Sequence, residues 1–287
     1  MRIAVTGAGG QLGFELARAL ERHEAVLLDQ AMLDVTDEAA CSGVLSDIRA
    51  DVVIHAAAWT DVDGCERQPE RAHAVNVQGT RNVVRAAGTA LTILISTDYV
   101  FDGALGRAYA ETDVPAPVQV YGETKAAAEQ ELFAASDRVA VARSAWLYGS
   151  RVASGARARN FVTTILEASK GQGVIEVVDD QVGSPTSACD LARALVSICE
   201  RGTTGVFHVV NAGAVSRYEL ARAVFEHAGL DPARVRAVAT ADAPARAARR
   251  PSYAPLETSA WRAAGHEPLA DWDDALARGL AGILAGW

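Results

Sequence analysis

The chain reads as an α/β protein: a Rossmann-type, doubly wound parallel sheet with a smaller α/β domain attached. Three observations predict this. Short β-rich runs alternate with longer helical patterns through the first half of the chain. The runs are apolar nearly end to end rather than alternating, as strands covered on both faces must be. A glycine-rich loop joins the first run directly to the first helical pattern.

In order, the expected strands are 2–6, 25–28, 51–54, 91–96 and 139–142, with 206–210 later. Helical patterns at 11–22, 36–49, 70–88 and 122–135 lie between them. Right-handed crossovers then bring the carboxyl ends of the strands to one crevice, where ligands bind. Past about residue 149 the rhythm changes. A small, basic stretch at 150–159 reads as a loop, 160–170 as a helix, 174–179 as a strand and 180–186 as a loop. Helices follow at 190–200, 217–229 and 271–284, with a Pro/Arg/Ala-rich loop at 241–251. The expected division is a dinucleotide-binding domain of 1–149 plus about 187–210, and a substrate-binding domain of about 150–186 and 211–287.

Composition narrows the classes. The 287 residues are 50% hydrophobic with a mean hydropathy of +0.08, which suits a globular chain with a sizeable core. A net charge of -9 argues against a general nucleic-acid binder. The four cysteines (Cys41, Cys65, Cys189, Cys199) lack C-x-x-C spacing, so the expectation is reduced thiols and no metal. The chain starts directly with a strand, and no stretch reaches the length of a membrane span, so the reading is cytoplasmic with no membrane partner.

The loop Gly7-Ala8-Gly9-Gly10-Gln11-Leu12-Gly13 places glycines at 7, 10 and 13. They permit a tight turn, close approach of a pyrophosphate and close helix–strand packing, while the helix start offers free N–H groups. Asp29 closes the second strand, where a carboxylate hydrogen-bonds ribose hydroxyls and repels a 2′-phosphate, favouring NADH over NADPH. Asp34 and Val35 follow closely; Asp34 borders the adenine or caps a helix.

Tyr121 and Lys125 are spaced to share one helix face. Lys125 is one of two lysines, the other being Lys170. A compact ammonium beside a phenol lowers its pKa, and a phenol so tuned exchanges protons near neutral pH. Ser96-Thr97-Asp98-Tyr99-Val100-Phe101 ends the fourth strand at the same crevice, so the Thr97 hydroxyl is placed to bond a carbonyl, or else to cap a turn.

The glycine phase, the strand-end Ala56-Ala57-Ala58 and the Tyr-x-x-x-Lys helix resemble the extended short-chain dehydrogenases/reductases. Finer strings resemble one branch, the dTDP-4-dehydrorhamnose reductases: Thr6 to Gly13, Asp34 to Asp37, His55 to Asp63, Ser96 to Gly103, Tyr121 to Lys125, Arg143 to Gly149, Asn160-Phe161, Asp180 to Thr186 and Arg250-Pro251. The resemblance runs in order to about Leu256. It implies reduction by NADH or NADPH of the C4 keto group of a dTDP-4-keto-6-deoxyhexose, most simply dTDP-4-dehydro-L-rhamnose. It assigns Tyr121 as proton donor, Lys125 to the nicotinamide ribose and to Tyr121, and Thr97 to the sugar carbonyl. Gly10, Gln11, Leu12, Asp29, Asp34, Val35, Ala58, Trp59, Thr60 and Ile95 fall where the dinucleotide binds. Thr97, Asp98 and Trp146 would line the sugar pocket, and Asn160, Gln181 and Arg250 would receive the nucleotide sugar.

The chain departs from the family at His55, commonly Asn, at Trp59, commonly Tyr or His, at Glu123, and at Ala126 to Ala128. His55 reads as a strand-end residue in local hydrogen bonds. Glu15 matches a position linked to a magnesium-bridged dimer in some members; its co-ligands are not evident, so no metal is expected and a homodimer stays open. Other readings are a 4-ketoreductase of antibiotic deoxysugar synthesis, a non-catalytic regulatory subunit like methionine adenosyltransferase β, and a 4,6-dehydratase or epimerase of the same fold.

Overall fold

The structure, a computed structural model, describes residues 1–285; the last two residues of the expected segment 211–287 lie outside the described residues. β1 (Arg2–Thr6) turns through the glycine loop into α1 (Gln11–Ala19), and β2 (Glu24–Leu28) leads to α2 (Glu38–Ile48). β3 (Val52–His55) is followed by α3 (Val62–Arg67), α4 (Pro69–His73), a π-helical turn at Ala74–Gln78 and α5 (Gly79–Ala87). β4 (Leu91–Thr97) runs into a 3₁₀ turn at Asp98–Val100 and then α6 (Val120–Ala135), and β5 (Val139–Ser144) ends the alternation. Next come β6 (Leu147–Tyr148), α7 (Phe161–Ser169), β7 (Ile175–Val178), β8 (Val182–Gly183), β9 (Thr186–Ser187), α8 (Ala188–Arg201) and β10 (Gly205–His208). β11 (Val215–Ser216), α9 (Arg217–His227), β12 (Val235–Val238), α10 (Ser259–Ala263) and α11 (Trp272–Leu284) follow.

The central sheet is six-stranded and parallel throughout, in the order β10-β5-β4-β3-β1-β2. Chain direction across the sheet reverses between β1 and β3, which opens a crevice above their carboxyl ends. The uniformly apolar runs follow from the two covered faces. In β1, Ile3 and Val5 enter one core with Leu16 of α1 and Leu195 of α8, while Ala4 enters another with Leu45 of α2 and Val83 of α5. Each such large side chain contributes about 1.5–3 kcal/mol when fully buried.

A separate core forms from α7 (Val162, Leu166), α9 (Leu220, Val224, Phe225) and α11 (Leu276, Leu280), backed by the parallel pair β7 and β12. α8 packs into the main core through Leu191, Leu195 and Ile198.

Two differences from the sequence expectation have physical causes. The expected helix 70–88 is interrupted by the π-helical turn, which turns Asn76 inward. Its side chain accepts from the Trp59 N–H at 2.8 Å and donates to Thr124 Oγ1 at 3.0 Å. The expected loop 180–186 holds two short strands, because β8 pairs antiparallel with β11 and β9 parallel with β6.

One buried ion pair fixes α6 against the sheet. Arg143 of β5 forks onto Glu129 of α6 at 2.6 and 3.0 Å, and Ser96 of β4 donates to the same carboxylate. Both charged side chains are almost fully enclosed. Removing either partner would leave a bare buried charge, a loss of about 3–5 kcal/mol.

Candidate active site

A cavity of about 860 Å³ opens above the carboxyl ends of β1, β3, β4 and β5. Its floor is the glycine loop. Gly7 has φ +71°, and a Cβ there would sit 2.5 Å from the Ala57 nitrogen. At Gly13 a Cβ would meet the Ala8 carbonyl oxygen at 2.2 Å, so α1 packs directly on the loop. Gly10 is different: its nearest obstacle is the Gly7 oxygen at 3.4 Å, and it opens α1 with no side-chain cap and no acid in the first turn. Free N–H groups at a helix start facing an open cavity suit a pyrophosphate. Leu12, Ala58, Trp59, Thr60 and Ile95 also line the cavity.

Asp29 and Asp34 border the same floor, with Val35 beside them. Asp29 Oδ1 accepts from the backbone of Ala31 and Met32 at 2.9 and 3.0 Å. Bonds from the Thr36 backbone and hydroxyl hold the Asp34 carboxyl below its usual pKa. Asp34 therefore forms a local turn ahead of α2, whose cap is Asp37.

Tyr121, Lys125, Thr97 and Asp98 share the opposite wall. Gly122 sets the approach: a Cβ there would lie 1.9 Å from the Tyr99 carbonyl oxygen, so the first turn of α6 rests on the turn that carries Thr97 and Asp98. Thr97 Oγ1 donates to Asp98 Oδ1 at 3.0 Å and accepts from the Tyr99 N–H at 3.2 Å, so it does cap the 3₁₀ turn. The other Asp98 oxygen is buried with no partner. Burial pushes the Asp98 carboxyl up to about 7, against the opposing pull of the Thr97 hydroxyl and Arg217.

The phenol differs from the expected lowered pKa. Burial, reinforced by Asp98, pushes Tyr121 far above the usual tyrosine value; the Thr97 hydroxyl pulls the other way. Burial also pulls Lys125 down to about 8, which Glu129 one turn along α6 opposes. A phenol and an ammonium that are both enclosed each resist charging, so this arrangement keeps the Tyr121 proton in place.

Around Trp146 the backbone is unusual for a bulky residue, with φ +44°. The indole fits because residue 183 is glycine: a Cβ there would sit 2.5 Å from the ring. On its face lies the Arg217 guanidinium, 3.5 Å from the ring centre and 4.8 Å from that of Phe161. Arg217 lines the cavity yet was not singled out from the sequence. A signal existed. Ser216 and Glu219 form a capping box, so Arg217 is the first residue of α9, where the helix dipole disfavours a cation.

The remaining expected substrate residues fare differently. Asn160 lines the cavity, but its amide donates to Gln11 Oε1 at 2.9 Å and the Gly149 carbonyl at 2.8 Å, while its oxygen caps α7. Gln11 in turn donates to the Leu147 carbonyl at 3.1 Å. Gln181 and Arg250 are not on the cavity wall. Gln181 donates to Thr240 at 3.0 Å, and its carbonyl accepts from the Arg217 backbone N–H at 3.0 Å. Arg250 forks onto Asp63 at 2.9 and 3.2 Å.

His55 sits in a closed relay of local bonds. Thr80 donates its hydroxyl to the Asn76 carbonyl at 2.7 Å, so His55 Nε2 must donate to Thr80 at 3.1 Å, and Nδ1 must accept from Thr6 at 2.7 Å. Burial, with Lys125 nearby, pulls the imidazole down to about 3, so it is neutral.

Comparison with known proteins gives consistent matches. The family described as the RmlD substrate binding domain matches residues 1–284. The chain is 44% identical to the dTDP-4-dehydrorhamnose reductase of Mycobacterium tuberculosis, over 98% of this chain and 92% of that protein. It is 38% identical to the probable dTDP-4,6-dihydroxy-2-methyloxan-3-one 4-ketoreductase of Streptomyces antibioticus, over 99% of this chain and 96% of that protein. Its fold is similar to that of the dTDP-4-dehydrorhamnose reductase from Bacillus anthracis solved in complex with NADP, with a TM-score of 0.92, 34% identity and 98% of each chain covered.

Proposed function

Since the chain belongs to the dTDP-4-dehydrorhamnose reductase family, whose RmlD model spans residues 1–284, we propose that it reduces the C4 keto group of a dTDP-4-keto-6-deoxyhexose. The favoured reaction is dTDP-4-dehydro-L-rhamnose to dTDP-L-rhamnose, with NADH or NADPH as reductant. The observation that carries this is one cavity lined at once by the glycine loop, Thr97, Tyr121 and Lys125. The open edge at Gly10 and the uncapped start of α1 fit a dinucleotide pyrophosphate. A reduced nicotinamide dinucleotide held by Gly10, Gln11 and the start of α1 would supply the hydride for the C4 ketone.

The chain's own groups do the rest. The enclosed Tyr121 phenol holds its proton through neutral pH and releases it to the oxygen that becomes the alcohol. Lys125 carries a positive charge at neutral pH and stabilises the phenolate left behind. Thr97 would exchange its bond to Asp98 for one to the sugar oxygen, and the unpartnered Asp98 oxygen would accept from a sugar hydroxyl. The stretch from Asp29 to Val35 contains two carboxylates and no Lys or Arg, which supports a preference for NADH, since a 2′-phosphate would meet negative charge. Among the described residues no helix is long and apolar enough to cross a membrane, and the four cysteines are free, as suits a reducing cytoplasm.

The test is incubation with dTDP-4-dehydro-L-rhamnose and NADH, read by loss of NADH absorbance and by NMR of the product. Tyr121→Phe should lower kcat by roughly 10²–10⁴. Near-normal turnover in that variant would remove Tyr121 from the chemistry. The relative from S. antibioticus favours one second reading, a 4-ketoreductase acting on another dTDP-deoxysugar. The sugar accepted and the C4 configuration seen by NMR separate the two.

A further inference from the structure

We propose that Arg217 forms an anion seat on the Trp146 side of the cavity that receives the diphosphate of the nucleotide sugar. This rests on the reductase reading above. Arg217 lines the cavity with its guanidinium flat against the Trp146 ring, 3.5 Å from the ring centre. Stacking engages the faces of the group and leaves its N–H edge for hydrogen bonds. The Tyr99 phenol lies close enough to act on its charge. Among the described residues no carboxylate stands within ion-pair distance of it. Asp98 attracts it only from further away, while Arg246 adds a like charge.

The contrast with Arg250 is instructive, because both prongs of that fork are filled by Asp63. Arg217 has no such partner, and it also occupies the first position of α9, where a cation is disfavoured. A half-buried cation set against a helix dipole and repelled by a second cation is stabilised by an anion. A diphosphate matches the guanidinium fork.

The direction along the wall agrees. In a 4-keto pyranose the diphosphate hangs from C1, across the ring from C4. With the ketone at Thr97 and Tyr121, the diphosphate points away from the phenol. Tyr99 stands next to Tyr121, ring centres 6.1 Å apart, and the Arg217 charge is felt at Tyr99 in turn. The residues thus follow the order ketone, sugar, diphosphate.

The probe is dTDP, titrated calorimetrically into the parent, Arg217→Met and Arg217→Lys proteins saturated with NADH. Arg217→Met keeps an apolar stem on Trp146 and should weaken dTDP by roughly tenfold to hundredfold, as for loss of a charge-assisted bond. Arg217→Lys should recover part of this, and NADH affinity should stay at the parental value in both. Unchanged dTDP affinity in Arg217→Met overturns the seat and leaves the reductase reading standing. Should Arg217→Met fail to hold NADH, Arg217→Lys decides: a several-fold loss supports the fork, and parental affinity overturns it. A parent protein that binds dTDP through Arg217 yet reduces no dTDP-4-keto sugar overturns the reductase reading and supports the seat.

Discussion

Replacing Gly122 by Ala sets two effects against each other. Helix propensity favours the change by about 1 kcal/mol, because Gly122 lies inside α6. Packing opposes it. The added methyl carbon would stand 1.9 Å from the Tyr99 carbonyl oxygen, 2.8 Å from its carbon and 3.0 Å from Pro117 Cβ. The first two are backbone atoms, so no side chain can rotate aside. Relief requires the start of α6 to back away from the Tyr99 turn by about 1 Å or more, and overpacking of this kind costs about 1–3 kcal/mol. Tyr121 is the preceding residue, so its phenol moves off Thr97 with the helix. A displacement of about 1 Å at a reacting group lowers the rate roughly 10²-fold, or about 2.7 kcal/mol of barrier. The assay is kcat with the keto-sugar, alongside NADH affinity and a thermal melt. The expectation is a hundredfold fall in kcat, unchanged NADH affinity and a melting temperature lower by a few degrees. Parental kcat together with an unchanged or raised melting point would show that this contact does not set the position of Tyr121.

Acid should destabilise the fold before the ordinary carboxylates titrate. Burial pulls both His55 and His208 down to about 3 from 6.5, so between those values the unfolded chain binds protons that the folded chain refuses, and stability falls with pH. Asp98, pushed up to about 7 from 3.8, acts with the opposite sign and gains stability as pH falls through that window. Two histidines against one carboxyl leave a net loss of up to about 1.4 kcal/mol per pH unit between pH 6 and 4. Denaturant unfolding across that range should show it, and His55→Asn should flatten it; an unaltered slope in the variant counts against the buried-histidine account. Asp29→Asn keeps an oxygen for the Ala31 and Met32 N–H groups but removes a charge from the floor of the cavity. The ratio of kcat/KM for NADPH over NADH should rise by about tenfold, the scale of one partly screened charge pair. An unchanged ratio would place the 2′-position of the cofactor elsewhere.

Much of this was legible in the sequence because it depended on local rules. Ile3, Ala4 and Val5 announce a strand covered on both faces, and Gly7, Gly10 and Gly13 announce a turn approached closely by other groups. Tyr121 and Lys125 share a helix face by spacing alone. What escaped depended on three-dimensional neighbours. Asn76 lies inside an unbroken helical pattern, and only the π-helical turn aims it at Trp59 and Thr124. Arg217 resembles any of the chain's many arginines until the Trp146 ring is seen beneath it. Gln181 and Arg250 drew attention as polar residues in distinctive strings, yet each bonds within its own half of the protein or to Asp63, away from the cavity wall. The phenol pKa was expected to fall because a cation was nearby; burial, reinforced by Asp98, raises it instead, and burial depresses the ammonium as well.

The bond between Gln11 and Asn160 has a thermodynamic corollary. One amide belongs to the loop that would cradle the reductant, the other to the cap of the helix bearing Phe161, on which Arg217 also rests. A ligand that displaced Gln11 would break that bond, and one that fixed the cap would hold Gln11 with it. By reciprocity, whatever one guest does to the affinity of the other is returned in equal measure. Through this one bond the glycine loop and the helix cap hold each other in place.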